Sequence, residues 1–512
     1  MRKLITRRDF LKLTGLVPLS LAAPKFVNSL IPIRQTEKLK NIIIIVFDAF
    51  SAFNISLYGY QRETTPNITR WADRAVVYHN HHAAGNFTIP GTSSLLTGTY
   101  PWTHRALSFS DGVAPAFATK NIFSAFPNHY RIAYTHNPAV NRLLTQFSKN
   151  IDEYVPLGRL YLANDNFIYS LFSKDEDIAS VSWVRAMKRK EEGYAYSLFL
   201  TRLYEMQRER AIKTVQSQFP GGMPQVAGDN YFLLEDAIDW LEESLGNLPQ
   251  PFMGYFHFMP PHGPYRTNKK YYKYFEGDDF APIFKPFDIF SLEQDRTLDY
   301  LFRRRTNYDE YILYVDHEFG RLMDELDRVG ILENAWVVLT SDHGEMFERG
   351  IWGHWTPVLY QPVIKVPLMI FEPGQNTRKD IYTNSSAVDL LPTLLHVTDQ
   401  HPVDWVEGTV LPPFAPTDTD PQHSLYAVQA RTNPQDEPLT VATTTLIKGQ
   451  YKLMYFFGYD ELGEAGSERI ELYDLENDPE ELNDLSSTKP EIVAELFNEL
   501  KRKLAEVDKP YI

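Results

Sequence analysis

The hydrophobic pattern is that of a sheet covered on both faces. Residues 41–47 read Asn-Ile-Ile-Ile-Ile-Val-Phe, a continuous β-branched run without polar alternation, which predicts a buried central parallel strand. Residues 336–340, Trp-Val-Val-Leu-Thr, have the same character. Ahead of them Ile312, Val315, Phe319, Leu322, Met323 and Leu326 recur at helical spacing, and Gly330 stands where that helix would end. Helix followed by strand is the order of an α/β fold, and residues 366–371 with the helix-like 387–396 continue it. The expected architecture is a mostly parallel central sheet flanked by helices, with a small C-terminal α+β subdomain.

Three regions interrupt this pattern. Arg7-Arg8 precedes a modest apolar run over residues 13–23 and the small residues Ser20, Ala22 and Ala23. That run is shorter than the roughly 20 residues a bilayer span needs, and the pattern resembles a twin-arginine export signal. Residues 150–250 are rich in Tyr, Phe, Lys and Glu, with a helical candidate at 191–215, and read as an insertion placed as a lid. The stretch from about 400 to 440, with Pro412, Pro413, Pro416 and Pro421, reads as a linker. It leads to strands at 440–457 and 471–475 and a terminal helix at 490–507. The expected division is a signal segment 1–35, a catalytic domain 38–430 and a C-terminal subdomain 431–512. Export would place the protein in the periplasm, outside the cell or anchored at the outer membrane face.

Composition narrows the chemistry. Of 512 residues 43% are apolar and 23% charged, enough for a large core and unlike a disordered chain. The 51 basic residues against 66 acidic ones give a net charge of −15, which argues against a nucleic-acid partner. An anionic substrate would need a metal or a few local cations. There is no cysteine, which excludes disulfides, thiolate metal sites, a cysteine nucleophile and any catalytic group made from cysteine.

Open parallel sheets bind ligands at the carboxyl ends of their strands. Asp48 follows the first apolar run, and Ser341-Asp342-His343-Gly344-Glu345 follows the other, so two carboxylates and an imidazole converge on one edge as a candidate metal site. Thr88 opens Thr-Ile-Pro-Gly-Thr-Ser-Ser, where a hydroxyl would meet a helix N-terminus, a place where anions collect. His79, Asn80, His81 and His82 are clustered in sequence, but adjacent strand positions face opposite ways. Arg303-Arg304-Arg305 reads as a solvated helix face, with anion binding aided by Lys269 and Lys270 as the alternative.

From residue 40 onward the chain resembles the sulfatase family of the alkaline phosphatase superfamily. The matching pieces occur in the family's order. They are the strand ending in Asp48; Tyr58-Gly59-Tyr60 with Thr64-Thr65-Pro66-Asn67; Thr88-x-Pro90 running into Leu95-Leu96-Thr97-Gly98-x-Tyr100-Pro101; and Pro261-His262-Gly263-Pro264-Tyr265. Thr340 to Glu345, Gly353-His354, Val366-Pro367-Leu368, residues 389–395 and Glu471-Leu472-Tyr473-Asp474-Leu475 complete the series. The resemblance implies one divalent ion held by Asp48, Asp342, His343 and Thr88; mixed carboxylate and imidazole ligands suit Mn or Zn, and the resemblance adds Ca. It implies Thr88 as nucleophile, His262 as a contact to the transferred group and proton donor, and His104 and His354 as further active-site histidines.

The departures point to a substrate. Sulfatases carry a formylglycine made from Cys or Ser where this chain has Thr88, and Ser and Arg where it has Gly91 and Thr92. Many place a second Asp at the position of Ala49. A formylglycine hydrate expels sulfate by collapsing to the aldehyde; a threonine ester needs water to attack the trapped group, which phosphorus accepts readily. Family members with threonine here are phosphodiesterases and phospho-group transferases. The expectation is an exported hydrolase of anionic esters, phosphate mono- or diesters favoured, with a cell-envelope glycan or lipid, or a membrane surface, supplying the substrate. A sulfuric ester hydrolase, a transferase to a sugar or lipid, and an inactive binding protein are the alternatives.

Overall fold

The computed structural model describes residues 39–162, 195–226, 230–291, 297–415, 423–463 and 466–512. The export signal expected at 1–35 lies outside them. Eight strands form the main sheet: β1 (Asn41–Phe47), β2 (Val76–Tyr78), β3 (Tyr130–Thr135), β4 (Glu153–Tyr154), β5 (Phe252–Phe258), β6 (Ala335–Thr340), β7 (Leu368–Phe371) and β8 (Lys379–Ile381). Their spatial order is β8-β2-β7-β6-β1-β5-β3-β4. β1 sits between β5 and β6, parallel to both, with Ile44 level with Tyr255 on one side and Val338 on the other. The sheet is mostly parallel, as expected; β7 alone runs against its neighbours, antiparallel to β6 and to β2.

The central run is apolar at every position because both sheet faces carry helices. Ile43, Ile45 and Phe47 pack into the core shared with α3 (Leu298–Arg328), through Ile312, Val315, Phe319 and Met323. Ile42, Ile44 and Val46 face the other core, shared with α1 (Thr88–Thr97) and α2 (Pro138–Gln146). Gly330 has φ 78, the left-handed conformation that glycine adopts without a Cβ penalty, just beyond α3. The expected helix at 191–215 is present as Ala195–Val215. Ile212 and Val215 at its end pack with Phe219, Met223 and Leu233 in a small cluster of their own.

A second sheet of four antiparallel strands, β9 (Leu425–Gln429), β10 (Ala442–Lys448), β11 (Tyr451–Phe457) and β12 (Glu468–Asp474), forms the C-terminal part. It begins at Leu425, ahead of the boundary expected at 431. Helix Pro490–Asp508 buries Leu496, Leu500 and Leu504, spaced four apart on one face, against this sheet. Among the described residues, no helix is long and apolar enough to cross a membrane.

Candidate active site

Parallel pairing of β1, β5 and β6 brings three strand ends together, and each is followed by site residues. The backbone N–H of Asp48 still bonds the Phe258 carbonyl, so the carboxylate leaves the sheet edge in a fixed direction. The next residue, Ala49, has φ 59. That left-handed conformation costs a non-glycine residue energy and is held here by Tyr308 of α3, whose hydroxyl donates to the Ala49 carbonyl and accepts from Ser51 N–H. After β6, Ser341 Oγ lies 2.7 Å from the Phe47 carbonyl and accepts from Phe50 N–H, tying the two strand-end loops to each other.

Asp48, Asp342 and His343 are buried, and one ligand atom from each lies within 4.8 Å of the others. His343 Nδ1 bonds the Gly344 carbonyl, which leaves Nε2 facing Asp48 Oδ1 at 3.4 Å and Asp342 Oδ2 at 3.7 Å. Three acceptors aimed at one point in a buried space call for a cation, and Asp48 Oδ1 is buried with no hydrogen bond. Burial alone would lower the His343 pKa, but Asp342 and Asp48 push it up to about 9, so the cluster draws positive charge to this spot. Burial alone would raise that of Asp48, yet His262, His257 and His343 hold it well below the usual carboxylate range. The donor set suits one divalent ion with oxygen and nitrogen ligands.

Thr88 is the first residue of α1, and its Oγ1 lies 3.4 Å from His343 Nε2. Two departures from the sulfatase signature now have local reasons. A Cβ at Gly91 would sit 2.1 Å from the Asp342 carbonyl oxygen, so helix α1 reaches the metal ligands only with glycine there. Thr92, one residue on, donates its hydroxyl to Asp342 Oδ2 at 3.2 Å.

Two further histidines complete the cluster. The His354 ring centroid is 4.3 Å from that of His343 and 5.0 Å from that of His262. His354 Nδ1 pairs with Glu345 Oε1 at 3.0 Å, and its Nε2 is buried without a partner. Burial lowers the His354 pKa and Glu345 opposes the shift. His262 anchors Nδ1 on the Gly263 carbonyl at 2.7 Å and remains partly exposed. The site therefore gathers Asp48, Thr88, His262, Asp342, His343 and His354.

His104, expected to touch substrate, is not among them. It is buried, its Nδ1 accepts from Ala106 N–H, and its Nε2 lies 2.9 Å from Ser94 Oγ, so it braces α1 instead. The sequential histidines also diverge. His79 pairs with Asp380, His81 bonds Ser385, and His82 is buried beside Gln361. Among the described residues no metal-binding group other than Asp48, Asp342 and His343 converges. The arginine run splits: Arg303 is exposed, Arg304 lies over Trp352, and Arg305 is buried beside Glu348.

Sequence reasoning missed two residues that hold Asp48. Asn137, at the start of α2, caps it by accepting from Ala139 N–H and donates Nδ2 to Asp48 Oδ2 at 2.6 Å. His257 of β5 has Nε2 3.2 Å from the same oxygen and Nδ1 2.9 Å from the Tyr255 hydroxyl. The tautomer that satisfies both contacts carries its proton on Nε2. Both residues had a signal: His257 is a polar residue in an otherwise apolar buried strand, and Asn137 precedes Pro138 as a helix cap.

The sulfatase family profile matches residues 40–400, and that of the N-sulphoglucosamine sulphohydrolase C-terminal region matches residues 350–510. An arylsulfatase of Clostridium perfringens (strain 13 / Type A) is 21% identical over 400 residues, covering 72% of this chain and 77% of that one. The crystal structure of a phosphonate monoester hydrolase of Agrobacterium radiobacter superposes with a TM-score of 0.64 at 17% identity, covering 92% of this chain and 96% of that one. A 2-O GAG sulfatase structure gives 0.63 at 15% identity, covering 93% and 94%. Both structures share the fold.

Proposed function

We propose that this chain, which belongs to the sulfatase family of the alkaline phosphatase superfamily and is a hydrolase of sulfuric or phosphoric esters, works through a covalent ester on Thr88 and prefers phosphate mono- or diesters. The observation that carries the reading is the place of Thr88 Oγ1, at the head of α1 and 3.4 Å from His343 Nε2, in a chain without cysteine. A divalent ion held by Asp48, Asp342 and His343, with Thr88 as a further ligand, would supply positive charge against the transferred oxygens. Thr88 Oγ1, its proton passed to water, attacks the phosphorus in line, and the bond to the leaving oxygen breaks. His354 Nε2 holds the proton that the leaving oxygen takes, with Glu345 fixing the ring from behind. The same nitrogen then takes a proton from the water that clears the Thr88 ester. His262 contacts the transferred group. The free N–H groups at the start of α1 add partial positive charge at the same spot.

Sulfuric ester hydrolysis is the second reading, supported by the likeness to an arylsulfatase and to a 2-O GAG sulfatase fold. Matched phosphate monoesters, phosphate diesters, phosphonates and sulfate esters with one aryl leaving group separate the two. The phosphate reading expects kcat/KM for a phosphate substrate to exceed that for the sulfate ester by about tenfold or more, or ~1.4 kcal/mol at the transition state. A preference for sulfate assigns the second reading. Asp342→Ala should abolish metal uptake in a protein that still folds. Export is part of the proposal: changing Arg7 and Arg8 to Lys should trap the protein in the cytoplasm, and normal export would refute it.

A further inference from the structure

A cavity of about 330 Å³ lies beside the segment that follows β1, and none of its lining residues belongs to the metal cluster or its histidines. Its walls include Phe53, Tyr58 and Tyr60 from that segment, Arg305 from α3, Lys365 from the approach to β7, and Glu480 from the C-terminal part. Since α3 leads into the start of β6, its first turns lie toward the carboxyl edge of the sheet, where Asp48 also sits.

The cations around this cavity are unevenly paired. Lys285 is buried and bridges both nearby carboxylates, at 2.7 Å from Glu348 Oε1 and 2.8 Å from Glu480 Oε2. Arg305 reaches Glu348 Oε2 only at 3.5 Å and the Phe347 carbonyl at 3.4 Å, and its Nε is buried with no acceptor. Lys365 has no ion pair and no side-chain hydrogen bond among the described residues, and its Nζ stands 6.0 Å from the centre of the Phe53 ring. Lys365 is thus left without a close counter-ion, while Arg305, beside Tyr60 and Asp309, is held only loosely by Glu348. A cation without a close partner in a largely buried wall is unfavourable unless an anion covers it. Burial pushes the Lys365 ammonium down, and only Glu480 opposes that, as expected for a cation short of a partner.

We propose that this cavity is a second, non-catalytic anion site. It takes a sulfate, phosphate or carboxylate group seated against Lys365 and Arg305, either free or carried on a ring the size of one sugar. The volume fits such a ring, and Phe53, Tyr58 and Tyr60 supply aromatic walls. Lys365 supplies a point charge and Arg305 an unused N–H donor, so the anion would gain two charge-assisted bonds.

The test uses the full chain carrying Asp342→Ala, which removes binding at the metal centre, and the EDTA-treated unsubstituted chain as a second background. Each is titrated by calorimetry with inorganic sulfate, inorganic phosphate and glucuronate. The expected result is saturable one-to-one binding in both backgrounds, weakened by about tenfold or more when Lys365→Met is added. Glucuronate binding more tightly than both inorganic ions identifies a sugar-borne anion; equal or weaker binding identifies the free anion. Lys365→Met alone should raise Tm in anion-free buffer, because it removes the uncovered charge. Lys365→Gln serves the same comparison should the Met variant not fold. Absence of saturable binding in both backgrounds, or binding that neither Lys365 variant changes, overturns the proposal.

Discussion

His354 Nδ1 lies 3.0 Å from Glu345 Oε1, and both side chains are buried. The contact fixes the ring so that its unpartnered Nε2 is the atom free to exchange a proton. Glu345→Gln keeps an acceptor but removes the charge that favours the protonated ring. It should lower kcat by about 10–100-fold with little change in KM. The loss should be larger for substrates with poor leaving groups, which need the proton, than for activated aryl esters. A uniform loss across leaving groups would show that Glu345 only supports the fold.

Asn137 does two jobs that substitutions can separate. Asn137→Ala removes the cap of α2 and should cost about 1 kcal/mol of stability, and it frees Asp48 Oδ2 from its donor, weakening metal affinity by about 10–100-fold. Asn137→Ser should restore the cap but not the bond to Asp48. Tm should therefore recover while metal affinity, measured by chelator competition, does not.

Gly91 stands where sulfatases have serine. Gly91→Ser, which restores the sulfatase residue, drives a Cβ toward the Asp342 carbonyl, 2.1 Å away. Overpacking of this kind costs about 1–3 kcal/mol, and the shift should be transmitted to the metal ligand. Thermal unfolding and metal content of the variant should both fall.

The central strands were legible because an uninterrupted apolar run has few other homes, and β1 has the bounds expected of it. The direction of β7 was not, since side-chain pattern does not encode which way a strand runs. Asp48, Asp342, His343 and Thr88 could be placed because strand ends and helix starts are positions along the chain. His257 and Asn137 act across strands, through a register that only folding supplies. Arg305 shows the reverse error: three adjacent arginines look solvated, yet helix periodicity turns one of them inward. His104 came to the site by resemblance alone, and burial gives it a different task.

That task predicts a pH dependence of stability. Burial pushes His104 down to about 3, and Ala106 N–H occupies the nitrogen that would have to accept the proton. His81 is likewise pushed down by burial, to about 4. A histidine depressed in the folded state leaves the unfolded chain as the better proton binder. The stability is present above about pH 6.5 and is lost as pH falls toward the folded pKa, at ~1.4 kcal/mol per pH unit for each group. His104→Asn should lower stability at neutral pH by about 1 kcal/mol through its lost bond, while flattening the fall between pH 6 and pH 4. Denaturant unfolding across that range checks both effects.

The nucleophile is the centre of the account, and intact mass spectrometry of enzyme quenched during turnover of a slow phosphate ester tests it most directly. The account predicts a phosphoryl adduct, mapped by peptide fragmentation to Thr88. It should be absent in Thr88→Ala, which keeps its metal but loses turnover by about 10³-fold or more. Thr88→Ser should retain the adduct and part of the rate. Turnover by Thr88→Ala at a rate near that of the unsubstituted protein, with no adduct in either, would mean that water attacks the ester directly and would contradict the account.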